Sequence, residues 1–180
     1  DALAAFLCES LALAKARLVD AAWLSARLPA FERALGGIVA TTGPGPTGIS
    51  AITTFDELGV PHSLTMLYAG GTAVAGLAAG EELLGLIAAQ TPSAETSTRE
   101  MLRRLRAMRE RIAREYLSAA FYGDRLLWRF NPYDVPTTDS TFAAAFAGEW
   151  FAAAAGLPNM LPDTQLESAL ESQIYESLHM

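Results

Sequence analysis

Seventeen consecutive uncharged residues, Leu64 to Gly80, constrain this chain more than any other feature. They include Gly70, Gly71, Gly76 and Gly80, and Glu81-Glu82 follow at once. The run is shorter than the ~20 apolar residues that cross a bilayer. The reading is a buried helix over about Ser63 to Ala89, apolar on every side, whose small residues let neighbouring helices come close. A chain that holds such a helix has to wrap other helices around it.

Five more helical segments follow from periodicity and punctuation. The first covers about Ala2 to Val19 and the second about Ala21 to Leu35. Gly36-Gly37 is expected to stop the second, and Pro29 to kink or break it. A charged helix is expected over about Ala94 to Ser118. An apolar helix is expected over about Ser140 to Ala155, and a last one over about Asp163 to Ser177. Between Phe121 and Asp139 lie two prolines, a glycine and several aromatics, which read as a structured loop with a short hairpin. There is almost no other strand signal. Apolar, small-residue helices alternate with more polar ones, so the fold class is all-α, one domain over residues 1–180. Three helical hairpins of this kind resemble an arc of an α/α toroid, about half of an (α/α)6 ring.

Composition excludes several functions. Against 20 Asp+Glu stand 13 Lys+Arg, a formal net charge of −7, which disfavours a duplex nucleic-acid partner. Hydrophobic residues make up 51%, too many for a disordered chain. Cys8 is the single cysteine and His62 and His179 are the only histidines, so neither an internal disulfide nor a protein-ligated transition metal is expected. The chain begins at Asp1 with no signal segment, so a mature form or a piece of a longer one is expected, in the cytoplasm if anywhere. No membrane partner, cofactor or metal is expected.

Two motifs read as ordinary structure. Gly43-Pro-Gly-Pro-Thr-Gly48 has the letters of a dinucleotide fingerprint. It lacks the preceding strand, and its prolines lack the N–H groups a pyrophosphate needs. The arginines Arg99 to Arg114 invite a nucleic-acid reading, but they surround their helix, and Arg106–Glu110 and Arg111–Glu115 stand at i,i+4. That spacing reads as a solvated outer helix.

Thr53-Thr-Phe-Asp-Glu-Leu58 is different: a carboxylate pair, Asp56-Glu57, sits after a Gly-rich loop and just before the buried helix. Asp56 is a candidate catalytic acid. A loop carboxylate or a helix cap is the alternative.

Thr54-Phe55-Asp56, then Leu67-Tyr68-Ala69-Gly70-Gly71 and a small-residue helix to Leu84-Gly85, resembles the acid/base segment of the family 116 glycoside hydrolases, which include the non-lysosomal, bile-acid-type β-glucosidases. The same stretch is also similar to the related family 52 β-xylosidases. Downstream, Phe121-Tyr122-Gly123-Asp124, Tyr133-Asp134, Asp139-Ser140 and Ala147-Gly148-Glu149-Trp150-Phe151 resemble family 116 in order and spacing, as do Gly156-Leu157 and Leu161-Pro162. The resemblance covers roughly Trp23 to Tyr175. It implies an (α/α)6 toroid and a retaining β-glycosidase in which Asp56 is the acid/base and Thr54 contacts the sugar or orients the carboxyl. It implies a β-glycoside as substrate.

The departures are specific. Glu149 stands where the family has Gln, and Ala144-Ala145 replace a polar pair. The family's nucleophile Glu lies well upstream of the acid/base, farther than the 55 residues that precede Asp56 here. The isolated chain is therefore expected to be inactive, and the remaining half of the toroid, in the same polypeptide or a partner chain, is the expected partner. Glu57 and Glu149 are the suspects should a second carboxylate lie within this sequence. A non-catalytic helical interaction module derived from such a toroid, or an enzyme of another toroid family, remains the alternative.

Overall fold

The computed structural model describes residues 2–41, 65–90, 95–122, 125–126, 129–130 and 146–179. Among them are six helices: α1 (Ala2–Lys15), α2 (Ala21–Thr41), α3 (Leu67–Gln90), α4 (Glu95–Ala120), α5 (Ala147–Ala154) and α6 (Asp163–His179). The class is all-α. The strands are four two-residue pieces: β1 (Thr65–Met66), β2 (Phe121–Tyr122), β3 (Arg125–Leu126) and β4 (Arg129–Phe130). β2 pairs antiparallel with β3, Phe121 opposite Leu126, which is the short hairpin expected in this region. β1 pairs antiparallel with β4, Thr65 opposite Phe130.

α3 is the centre. It packs against α1, α2, α4 and α5, and α1 also touches α2 and α5. The three apolar helices α1, α3 and α5 thus meet one another, while α2 and α4 cover them. Leu77, Leu83, Leu84 and Ile87 of α3 are fully buried, together with Leu7 and Leu11 of α1, Phe31 of α2 and Ile112 of α4. Each such side chain contributes about 1.5–3 kcal/mol by leaving water. Other helices supply this cover, which is what the uncharged run requires.

Small residues set the spacing. A Cβ on Gly76 would fall 2.7 Å from the Ala4 Cβ, so α1 and α3 are in contact at their backbones. Any side chain at that position would force the two helices apart.

α2 corrects two expectations. It does not stop at Gly36-Gly37 but runs on to Thr41. Two interior glycines cost about 2 kcal/mol. Burial of Leu35 and Ile38 on the same stretch outweighs that, at about 3–6 kcal/mol for the pair. Gly37 is also where Leu3 of α1 lies close, 2.6 Å from where a Cβ would stand. Nor does Pro29 break the helix. Pro29 and Ser25 are both exposed, so the Ser25 carbonyl that loses its N–H partner can face water.

α1 ends earlier than Val19. Arg17 has a φ of 58°, Arg17 N–H donates to Ala14 O and Leu18 N–H to Leu13 O, which closes the helix. Asp20 then starts α2 by accepting the Trp23 N–H at Oδ1, 2.8 Å away. α5 ends in the same closing pattern with a glycine in the left-handed position: Gly156 has a φ of 62° and Leu157 N–H donates to Ala152 O. The helix expected over about Ser140 to Ala155 is seen from Ala147; residues 140–145 lie outside the described residues.

Candidate functional site

The sequence candidates Asp56 and Thr54, together with Glu57 and the Gly43–Gly48 loop, lie outside the described residues. What the structure does place is the N-terminal end of α3, the helix that follows them in the chain.

Three distant stretches converge there. β1, at Thr65–Met66, leads directly into α3 and pairs with β4, at Arg129–Phe130. The beginning of α5 lies against the beginning of α3. A Cβ on Gly148 would fall 2.6 Å from the Gly71 carbonyl oxygen, so the two helices touch backbone to backbone. Gly70-Gly71 and Ala147-Gly148 are therefore neighbours in space, although 77 positions separate Gly71 from Gly148. The small residues at these positions are what permits the approach.

Glu149 is the buried carboxylate of this end, with 7% of its surface exposed. Its Oε1 accepts the Leu161 N–H at 2.7 Å, and its Oε2 accepts the Met160 N–H at 3.0 Å. Both oxygens are thus engaged by main-chain donors of the segment that turns from α5 into α6. The residue also lies in the first turn of α5, where a negative charge is stabilised by the helix dipole. The carboxylate thus fixes Met160 and Leu161 against the start of α5.

At the opposite part of α3 sits an ion cluster that the sequence reading missed. Glu81 of α3, its side chain 14% exposed, is held by two arginines of α4. Arg106 Nε donates to Oε1 at 2.7 Å and Arg109 Nε to Oε2 at 3.0 Å. Arg106 is therefore turned onto α3, away from Glu110, and the expectation of an i,i+4 surface pair fails there. Arg106 and Arg109 are three apart and share one face of α4, which is why both reach the same carboxylate. Glu82 pairs with Lys15 at 2.8 Å, and Lys15 Nζ also donates to Gly156 O at 2.8 Å, tying α1, α3 and α5 together. The outer face of α4 keeps local pairing: Arg103 and Arg104 both bind Glu100. Their hydrogen bonds and charges hold the Glu100 carboxyl down at about 2.

No family model, no curated protein and no solved structure matches this chain.

Proposed function

We propose that this chain is part of the catalytic domain of a retaining β-glycosidase, β-glucosidase-like, that its helices form an arc of an (α/α)6 toroid, and that Asp56 is the general acid/base. One observation carries the reading. Two of the stretches that resemble family 116, Leu67 to Gly71 and Ala147 to Trp150, meet near the start of α3, where Gly148 lies against Gly71, on the helix that follows Asp56 in the chain. Two short motifs 77 positions apart need not meet; these two do.

The surface supports the arc. Nine large apolar side chains are exposed among the described residues. Leu3, Leu13 and Leu18 lie on α1 and its following turn, and Trp150, Leu170, Ile174, Tyr175 and Leu178 on α5 and α6. The ninth, Leu86, is on α3; α2 and the described side chains of α4 carry none. Apolar exposure concentrated on the first and last helices suits two edges that further hairpins cover.

The chemistry follows from the role. A retaining glycosidase places two carboxyl groups about 5–5.5 Å apart. One attacks the anomeric carbon. Asp56 gives its proton to the leaving oxygen, then takes a proton from the water that releases the sugar. Thr54, two residues before it, contacts the sugar or orients the carboxyl. The nucleophile is supplied by the rest of the ring, since Glu149 is committed to the main chain.

The test is leaving-group dependence in the protein that carries this chain. Asp56→Ala should cost much more turnover on alkyl β-glucosides, which need protonation, than on activated aryl β-glucosides, which do not. Equal losses on both would remove Asp56 from the acid/base role.

A further inference from the structure

We propose that the outer face of α6 docks a basic amphipathic helix, supplied by the remaining half of the ring. The inference rests on the arc reading for the source of that helix, and not on the role of Asp56.

α6 is held from one side. Ala169 is buried, and Leu166 is half-buried against the core. The opposite side carries Leu170, Ile174 and Leu178, which are 42%, 58% and 76% exposed. They stand four apart and form one row along the helix, about 12 Å long at about 1.5 Å per residue. A row of this spacing is a ridge that fits the groove of a second helix.

A second row of the same spacing runs beside it: Asp163, Glu167 and Glu171, all exposed. Glu167 and Leu170, and Glu171 and Ile174, are three apart, so the two rows adjoin. Asp163 accepts a hydrogen bond from Asn159 Nδ2. Glu167 and Glu171 form no ion pair with a described residue.

Charge selects the occupant. α6 has four carboxylates and no Lys or Arg. β3, which packs on α6, brings Arg125, and one cation against four carboxylates leaves the pair acidic. A second α6 would set one carboxylate row against another. The stretches 42–64 and 131–145 of this chain hold four carboxylates between them and no Lys or Arg, so they do not complement α6 either. A helix with an aliphatic stripe flanked by Lys or Arg complements both rows at once.

The experiment is calorimetric titration of the 180-residue chain with a synthetic helical peptide of Leu and Lys, its Leu on one face. A Leu/Glu peptide of the same pattern and a Leu/Lys peptide with its face scrambled are the comparisons. The patterned Leu/Lys peptide should bind about tenfold or more tighter than either. Glu167→Lys with Glu171→Lys should weaken it about tenfold, and Ile174→Ser with Leu178→Ser should abolish binding. Glu32→Lys with Glu110→Lys makes the same charge change on α2 and α4 and should leave binding within about twofold. All these positions are exposed, so helical circular dichroism should be unchanged. In the longer protein the peptide should not bind, because that protein's own helix covers α6.

Absence of binding, equal binding of the scrambled peptide, or binding that survives the α6 variants would overturn the proposal. So would equal binding in the longer protein. A dimer of the chain alone in sedimentation, dispersed by Ile174→Ser, would assign the face to a second copy and overturn it too. The leaving-group test of Asp56 reads independently: docking can fail while that test succeeds, and the reverse.

Discussion

Gly148 at the start of α5 stands where a Cβ would meet the Gly71 carbonyl carbon and oxygen of α3, at 2.5 and 2.6 Å. No side-chain rotation relieves a clash with main chain. Gly148→Ala should therefore push the two helices apart and cost about 1–3 kcal/mol or more. Gly85, near the other end of α3, has nothing within 4 Å of its Cβ position. Gly85→Ala should stabilise by about 0.5–1 kcal/mol through helix propensity alone. Urea unfolding of both variants gives the comparison. Changes of equal sign and size would mean that α3 and α5 do not touch at Gly71 and Gly148.

Glu149 offers a second energetic test. A carboxylate accepts both main-chain N–H groups of Met160 and Leu161, one at each oxygen. Glutamine at that position has a single acceptor oxygen, and its NH2 would face a donor. Glu149→Gln should cost about 1–3 kcal/mol in chemical denaturation. A neutral result would show that the carboxylate does not anchor the α5–α6 turn.

Arg17 is a non-glycine residue with a φ of 58°, in the closing position of α1. The left-handed conformation costs an L-residue about 1–2 kcal/mol. Arg17→Gly should raise thermal stability, while Gly156→Ala, at a φ of 62° after α5, should lower it. Opposite signs for the two are the outcome to look for.

Cys8 is buried, and desolvation, with the Glu9 carboxylate adding to it, raises its thiol from 9.0 to about 12. The folded state thus holds the proton more tightly than the unfolded one. Its contribution to stability is complete below pH 9 and is lost progressively as pH rises towards 12. The slope is at most about 1.4 kcal/mol per pH unit. Cys8→Ala should lose this alkaline slope. Iodoacetamide at neutral pH should label the wild type only after unfolding; fast labelling of the native chain would contradict the burial.

Much of the fold was legible because the cues were strong. The uncharged stretch ending at Gly80 read as a covered helix, and the alternation of apolar and polar segments marked α1, α3 and α5 as inner. Gly36-Gly37 misled because two glycines look like punctuation, while the burial of Leu35 and Ile38 that carries the helix past them is tertiary. Arg106 misled for the same reason: its local partner Glu110 was visible in sequence, and its actual partner Glu81 is 25 residues away on another helix. Glu149 was noticed as a substitution, but its two main-chain donors lie 11 and 12 residues on, across a turn whose path no local pattern dictates. Asp56 and Thr54 rest on the resemblance and on their position in the chain before α3.

The most direct measurement is azide rescue of Asp56→Ala in the protein that carries this chain. The variant should form a glycosyl-enzyme from an activated aryl β-glucoside and then stall, because no base deprotonates water. Azide needs no base, so it should restore turnover. The product, read by NMR, should be the β-glucosyl azide. No rescue, or an α-configured product, would contradict the assignment of Asp56 as the acid/base of a retaining β-glycosidase.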